Sequence, residues 1–259
     1  MRKPSFRTLT LLVKSDASPR IIGAYLAGRL RRSLSRVVPA REAGNPLAAA
    51  KEVFERNTLG LEFSHTWFDG SIPLWVKLLS PMRDARPDAE MLEIGSWEGR
   101  SSVFLLGFFP QGHLTAVDTW AGGDEHRDYE ALGEVERRFD RNVAQFGSCV
   151  SKRKGSSSLV LAQLAAEKRE CFDLVFVDGS HFADDVMLDA VYSWRLLRQD
   201  GIMIFDDYLW RFERYGWKRN PAKAVNHFLG LVEGDFELLH VGHQLALRKT
   251  VSLARYTDR

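Results

Sequence analysis

The chain has 259 residues, 45% of them hydrophobic, which suits one α/β domain with a sizeable core, or one domain plus an appendage. No apolar run approaches the ~20 residues that cross a bilayer. Formal net charge is +2, but residues 1–42 hold ten Lys/Arg against two acids, so a basic arm precedes a mildly acidic body. The two cysteines, Cys149 and Cys171, sit in no CxxC and beside no ligand-like neighbour. That speaks against a disulfide framework and a zinc site, and a reducing, cytoplasmic compartment is expected.

Residues 1–17 are basic, with Ser, Thr and Pro, and are expected to be poorly ordered. Their apolar run at 9–13 is too short for a secretory signal and lacks a cleavage site. Ser18-Pro19 reads as the cap and first residue of a helix. Ile22, Leu26, Leu30, Leu34 and Val38 follow at i+4 spacing, with Arg29, Arg31, Arg32 and Arg36 mostly elsewhere on the wheel. Such a helix packs on the domain or on a second subunit, lies peripherally on an anionic membrane surface, or targets an organelle. The spacing leaves all three open. The arginines are not interleaved with stacking aromatics, so nucleic acid is not an expected partner.

Residues 39–46 read as a linker and 47–57 as a helix. The stretch LEFSHTWFDGSIPLWVKLLSPM gathers His65, Trp67, Phe68 and Trp75. The aromatics read as core or lid, and His65 is within reach of a ligand if the segment folds over one. Residues 91–94 form a short strand that runs into Gly95-Ser96-Trp97-Glu98-Gly99-Arg100 and then the apolar stretch 103–109. This is strand, glycine turn and helix: glycines admit close backbone approach, and the helix N-terminus favours an anionic group. The turn is neither GxGxxG nor a Walker loop. A tight turn with no ligand is the plain alternative.

Residues 114–117 form the second strand, ending in Asp118. An acid there, about 20 residues past the glycine turn, is where a ribose diol is gripped. Residues 120–130 read as a loop, 134–146 as a helix and 150–153 as a third strand. Ser156 after that strand either reads an adenine edge or caps a helix. The stretch from Phe172 to Tyr208 is a strand–helix–strand unit: apolar runs at 174–177 and 202–205 enclose a helical segment. Such units make parallel, buried strands whose carboxyl ends share one ligand-binding edge. Asp178 ends the first run, and Asp206 and Asp207 end the second. Three acids at one edge call for a cation, a proton or a charged ligand. Residues 208–220 read as a substrate-facing loop and 221–231 as a helix. Strands at 236–241 and 243–247 close a hairpin around Gly242.

In this order and spacing EIGSWEGRSS, AVDTW, FDLVFVDGSH and GIMIFDDY resemble a class I S-adenosylmethionine-dependent methyltransferase. The similar subgroup is that of macrocin- and catechol-type O-methyltransferases, and the resemblance covers roughly residues 60–249. It implies a Rossmann-like α/β fold, with a seven-stranded, mostly parallel sheet, a C-terminal antiparallel hairpin and helices on both faces. It implies that Glu93, Gly95, Ser96 and Gly99 hold the methionine end of the cofactor, Asp118 the ribose and Ser156 the adenine side, with Asp178 bordering the cofactor. It further implies a divalent cation, magnesium by relatedness, on Asp178, Asp206 and Asp207, residue types that suit a hard cation. Trp97 and Glu98 inside the turn depart from the family pattern. The expected division is an arm over 1–55, a catalytic domain over 56–250 and a tail over 251–259.

The expected reaction is methylation of a hydroxyl on a small molecule or glycan. His181 is the expected base, with Asp178 as rival if no metal binds. The plain alternative for His181 is a helix-start residue bonded to Asp184 or Asp185. A nucleotide-dependent oxidoreductase lacks support, since neither GxGxxG nor Tyr-x-x-x-Lys occurs. A catalytically silent domain fits poorly with the intact acid set. A homo-oligomer is compatible with all of this.

Overall fold

The computed structural model describes residues 6–35, 45–123, 126, 129, 131–210 and 219–253. Its strands are β1 (Glu90–Ile94), β2 (His113–Asp118), β3 (Val150–Lys154), β4 (Phe172–Val177), β5 (Leu197–Phe205), β6 (Phe236–Val241) and β7 (Leu245–Lys249). They form a seven-stranded sheet in the order β3-β2-β1-β4-β5-β7-β6. β2 runs parallel to β1 and β3, and β4 parallel to β5, while β7 is antiparallel to both β5 and β6. This is the mostly parallel α/β sheet with a C-terminal antiparallel hairpin that the sequence led us to expect. The last strand starts two residues later than expected. Gly242 N–H donates to the Gln244 carbonyl at 2.8 Å, so His243 belongs to the turn.

The chain divides into two compact units, residues 42–160 and residues 1–41 with 161–259. The first holds α3 (Pro46–Thr58), α4 (Ile72–Ala85), α5 (Arg100–Phe108) and α6 (Val135–Val143). Asn45 caps α3, its Oδ1 accepting from Leu47 N–H at 3.0 Å, and Pro46 sets the first turn. Phe54, Phe68, Trp75 and Phe104 pack edge-on or tilted with centroids 4.9–6.2 Å apart. Residues 134–146 were expected as one helix. Instead α6 stops at Val143 and a 3-10 turn follows, itself kinked at Gly147, which takes φ 52°, ψ −123°.

The second unit holds α1 (Phe6–Lys14), α2 (Pro19–Ser35), α8 (Ala183–Leu196) and α9 (Pro221–Leu231); α7 (Ser157–Glu167) carries the chain from β3 to β4. Here one expectation is corrected: residues 6–14 are helical rather than poorly ordered. Leu11 and Leu12 are buried, and the Ser15 carbonyl accepts from Asn226 Nδ2 at 2.8 Å. Asp16 pairs with Lys223 and with His227 on α9. Only that tertiary partner turns a short apolar run into an anchor. α2 packs on β6 by a row other than the i+4 stripe. Ile21 and Tyr25 are buried, whereas Leu26 and Leu30 are exposed. Gly28 faces the Val241 carbonyl, where an added Cβ at 3.8 Å would make only ordinary van der Waals contact. The expected linker falls largely on residues 36–44, and much of the 208–220 loop on 211–218, outside the described residues.

α8 is held firmly at its C-terminal end. The fully buried Lys249 ammonium donates to the carbonyls of Trp194 at 3.0 Å and Leu197 at 2.7 Å, and to Glu170 at 3.1 Å. A cation on the last carbonyls of a helix also suits the helix dipole. Burial pushes the Lys249 pKa down. Among the described residues no helix is long and apolar enough to cross a membrane.

Candidate active site

In the first unit the ends of β1, β2 and β3 are tied by the ladder itself. Gly95 N–H donates to the Val117 carbonyl at 2.8 Å, and Gly155 N–H to the Asp118 carbonyl at 2.9 Å. Gly95 and Gly99 both have left-handed backbones, φ 86° and 82°. A Cβ on Gly99 would also stand 3.1 Å from the Phe139 ring. Between them Trp97 holds φ 48°, rare for a bulky residue. It is held there because its N–H donates to Asp118 Oδ2 at 2.8 Å. Asp118 Oδ1 accepts from Trp120 N–H at 2.7 Å, and the Trp120 indole donates to the Trp97 carbonyl at 2.9 Å. Asp118 thus fastens the glycine turn as well as ending β2. Each carboxylate oxygen has a second lone-pair direction, which keeps a ribose diol compatible.

Glu98, the other departure from the family pattern, is structural. Its side chain is 2% exposed and pairs with Arg138 at 2.7 Å. It also accepts from the N–H and hydroxyl of Ser64. The Glu98 carboxylate raises the Arg138 pKa. Asn142 on α6 donates to the Glu98 carbonyl at 2.8 Å and to the Glu62 carbonyl at 2.9 Å. Sequence reasoning missed this clamp, since Ser64, Glu98 and Arg138 have no common spacing.

The turn keeps buried polar atoms unused. Ser102 donates to Glu93 Oε2, but among the described residues neither Glu93 Oε1 nor the Ser96 hydroxyl makes a hydrogen bond of good geometry, although Ser96 lies close enough for its dipole to act on Glu93. Burial pushes the Glu93 pKa up against the serine hydroxyl dipoles, and Asp118 adds to the rise. Orphaned polar atoms cost about 1–3 kcal/mol each, so they fit a ligand that brings donors, such as the ammonium of an amino acid. The Ser156 hydroxyl meets Ser158 Oγ at 2.8 Å, and its carbonyl accepts from Leu159 and Val160 at the start of α7. His65 stacks on Trp67 at 3.9 Å and lies 5.7 Å from Tyr129. Trp97 in turn stacks on His126 at 4.4 Å. His65 therefore belongs to an aromatic group that flanks the Trp97 side of the turn.

In the second unit β4 and β5 end together. Val177 is in register with Phe205, and Asp206 N–H donates to the Val177 carbonyl at 2.9 Å. That register brings Asp178 to Asp207. Asp207 takes φ 51° and directs its carboxylate to two histidines. Oδ2 lies 2.7 Å from His181 Nε2, and Oδ1 lies 3.1 Å from His243 Nε2. His181 Nε2 is thus bonded to Asp207, a partner that the plain alternative of Asp184 or Asp185 did not include. Trp210 stacks on its ring at 4.5 Å. Burial opposes the Asp207 charge, yet His181 and His243 hold its pKa well below the usual carboxylate range. Asp206 goes the other way: burial and the neighbouring Asp207 charge push its pKa up. Its Oδ1 accepts from Asp207 N–H at 2.7 Å and its Oδ2 from Gln244 at 3.1 Å. The Asp207 hydrogen bond raises the His243 pKa.

Two sets of candidate ligand atoms lie within 4.8 Å among the described residues: Asp178, His181 and Asp207, and Asp206, Asp207 and His243. The three aspartates of the sequence reading are split between sets that share Asp207. Oxygen-rich sets with one imidazole accept a hard divalent cation, so the residues fit the metal of the resemblance. His243 was not foreseen. It sits in the β6–β7 turn, and only the antiparallel pairing of Leu245 with Phe205 brings it to the end of β5.

Residues 92–208 match a family model described as a methyltransferase domain. A search of curated proteins found no match. Among solved structures the chain is similar to the MycE methyltransferase of the mycinamycin biosynthetic pathway, solved with Mg, SAH and mycinamycin VI. Identity is 19% and the TM-score 0.52, over 78% of this chain and 54% of that one. It is similar to a putative caffeoyl-CoA O-methyltransferase from Staphylococcus aureus, at 15% identity and TM-score 0.51, over 87% and 100%. It is also similar to the O-methyltransferase TomG from Streptomyces achromogenes, involved in tomaymycin synthesis and solved with SAM. There identity is 19% and the TM-score 0.50, over 86% and 96%. The chain spans about half the length of MycE, and at these identities the likeness is one of fold.

The sheet order and the family match agree in one respect: the matched stretch carries the glycine turn after β1 and the acids that end β2, β4 and β5. That stretch, 92–208, runs from within β1 to the residue that follows the Asp206-Asp207 pair.

Proposed function

We propose that the chain methylates a hydroxyl oxygen of a small molecule or sugar, with the Asp178–His181–Asp207 group activating the acceptor. The observation that carries this reading is the 2.7 Å hydrogen bond from His181 Nε2 to an Asp207 held ionised. An ionised carboxylate only accepts, so Nε2 carries the proton and Nδ1 is the basic nitrogen. The Asp207 charge then steadies the imidazolium that forms when His181 takes the acceptor proton, and Trp210 limits rotation of the ring.

Glu93, Gly95, Ser96 and Gly99 hold the amino-acid end of S-adenosylmethionine, and Asp118 takes the ribose. The cofactor supplies an electrophilic methyl group on a sulfonium, so the protein's part is to orient and deprotonate the acceptor. A divalent cation on either set, Asp178, His181 and Asp207 or Asp206, Asp207 and His243, would lower the pKa of a bound hydroxyl. His181 cannot be ligand and base through the same nitrogen, so the two routes make different predictions for a chelator. The MycE complex with Mg, SAH and mycinamycin VI supports a small-molecule acceptor over a nucleic acid.

The test is thermal protection of the full chain by S-adenosylmethionine and by NAD, since a ligand of the native state raises the melting point. The reading expects protection by the first alone, and Glu93→Ala to weaken it. Protection by NAD alone, or by neither, would overturn it.

A further inference from the structure

We infer that the outward face of α8 is the interface of a two-fold homodimer. This does not depend on the acceptor or the metal. α8 has four exposed positions, Asp184, Leu188, Val191 and Arg195. Their spacing is i, i+4, i+7 and i+11. At about 100° per residue they fall within an arc of roughly 60°, so they form one straight stripe. The spacing is that of a coiled-coil seam, which suits a helix facing another helix.

The order along the stripe is acid, leucine, valine, arginine. Reversed, it is its own complement. A two-fold axis between Leu188 and Val191 sets Asp184 against Arg195 of the second copy, and Leu188 against Val191 of the second copy, each pair occurring twice. The half-exposed Met187 and Tyr192 fall opposite each other under the same rule. An isologous contact requires this symmetry: the patch must complement itself. An arbitrary peptide partner has no need of it.

The apolar surface does not stop at the stripe. Leu188 is 44% and Val191 37% exposed, and beside them runs a groove of about 320 Å³. Val191, Trp194, Arg195, Phe228, Leu231 and Leu253 line it, and Leu231 is 74% exposed. Isolated exposed leucines are ordinary, but a stripe continuous with a groove is a contact surface. The face is also preformed. Lys249 fixes the C-terminal turn of α8, and Trp194 packs edge-on against Phe228 of α9 at 5.8 Å.

The test is the mass of the full chain in solution, by light scattering after gel filtration and by sedimentation. The wild-type chain should run at twice its own mass. Leu188→Asp and Val191→Asp should each run as monomers, with circular dichroism unchanged because both positions are exposed. Asp184→Arg and Arg195→Glu each oppose like charges at two symmetric places and should raise the dimer Kd at least about tenfold. The combined Asp184→Arg/Arg195→Glu chain should recover the dimer. If a variant folds poorly, hydrogen exchange of wild-type α8 at low and high protein concentration takes its place, and the amides of 184–195 should gain protection with concentration. Four results would overturn the proposal: a wild-type monomer at every concentration, a dimer indifferent to both aspartate variants, no rescue by the double charge swap, or flat exchange in α8. A wild-type monomer that binds an acidic peptide or anionic vesicles through Arg195 would assign the face to that partner instead.

Discussion

Glu98→Ala should destabilise the protein by about 3–5 kcal/mol, the cost of breaking a buried charge pair. The magnitude follows from its three contacts. Glu98 is 2% exposed, holds Arg138 at 2.7 Å, and accepts from both the amide and the hydroxyl of Ser64. Hydrogen bonds to charged groups contribute about 1.5–3 kcal/mol each. Arg138 is 21% exposed, so its freed guanidinium reaches water and keeps the total from the full sum. Glu98→Gln retains an acceptor for Ser64 and should lose only about 1–2 kcal/mol, the charge-assisted part. Arg138→Met leaves the carboxylate buried on Ser64 alone and should cost as much as Glu98→Ala. The assay is urea unfolding of both single variants and the double variant. The double should lose little more than the worse single, because contacting partners couple. Losses below about 1 kcal/mol for Glu98→Ala, or strictly additive losses, would refute the clamp.

Glu93 gives a pH prediction whose sign is fixed by its raised pKa. Above the ordinary glutamate value the unfolded chain releases the proton while the folded chain keeps it, so stability falls as pH rises through the folded-state pKa and then stays lower. Glu93→Gln removes that loss. The ligand-free variant should gain stability over wild type from near pH 4.5 upward, in thermal melts across pH, and a pH-independent difference would contradict this. Asp178→Ala and Asp206→Ala should abolish methyl transfer while leaving most of the S-adenosylmethionine affinity by calorimetry; full activity in either would remove it from the site. If a cation is used, EDTA should inhibit and magnesium restore turnover. Turnover indifferent to chelation would leave His181 and Asp207 as a metal-free base pair.

The sequence alone determined the order of strands and helices and the acids at the strand ends. Period, apolar runs and glycine turns are local properties, and β4 is apolar in nearly every position because both its faces are covered. It therefore placed the Gly95–Gly99 turn, Asp118, Asp178 and the Asp206-Asp207 pair at strand ends before any contact was known, whereas Glu93 entered only through the family resemblance. Tertiary structure decided which groups meet. The β4–β5 register gave Asp207 to His181, and the hairpin gave it to His243, although 36 residues of sequence separate Asp207 from the latter. It also decided that Trp97 and Glu98 serve the turn, one through Asp118 and the other through Arg138. Residues 6–14 became a helix only because α9 offers Asn226 and Lys223. Local periodicity carries no record of such pairings, since a hydrogen bond or ion pair depends on distance in space and its two ends share no spacing along the chain.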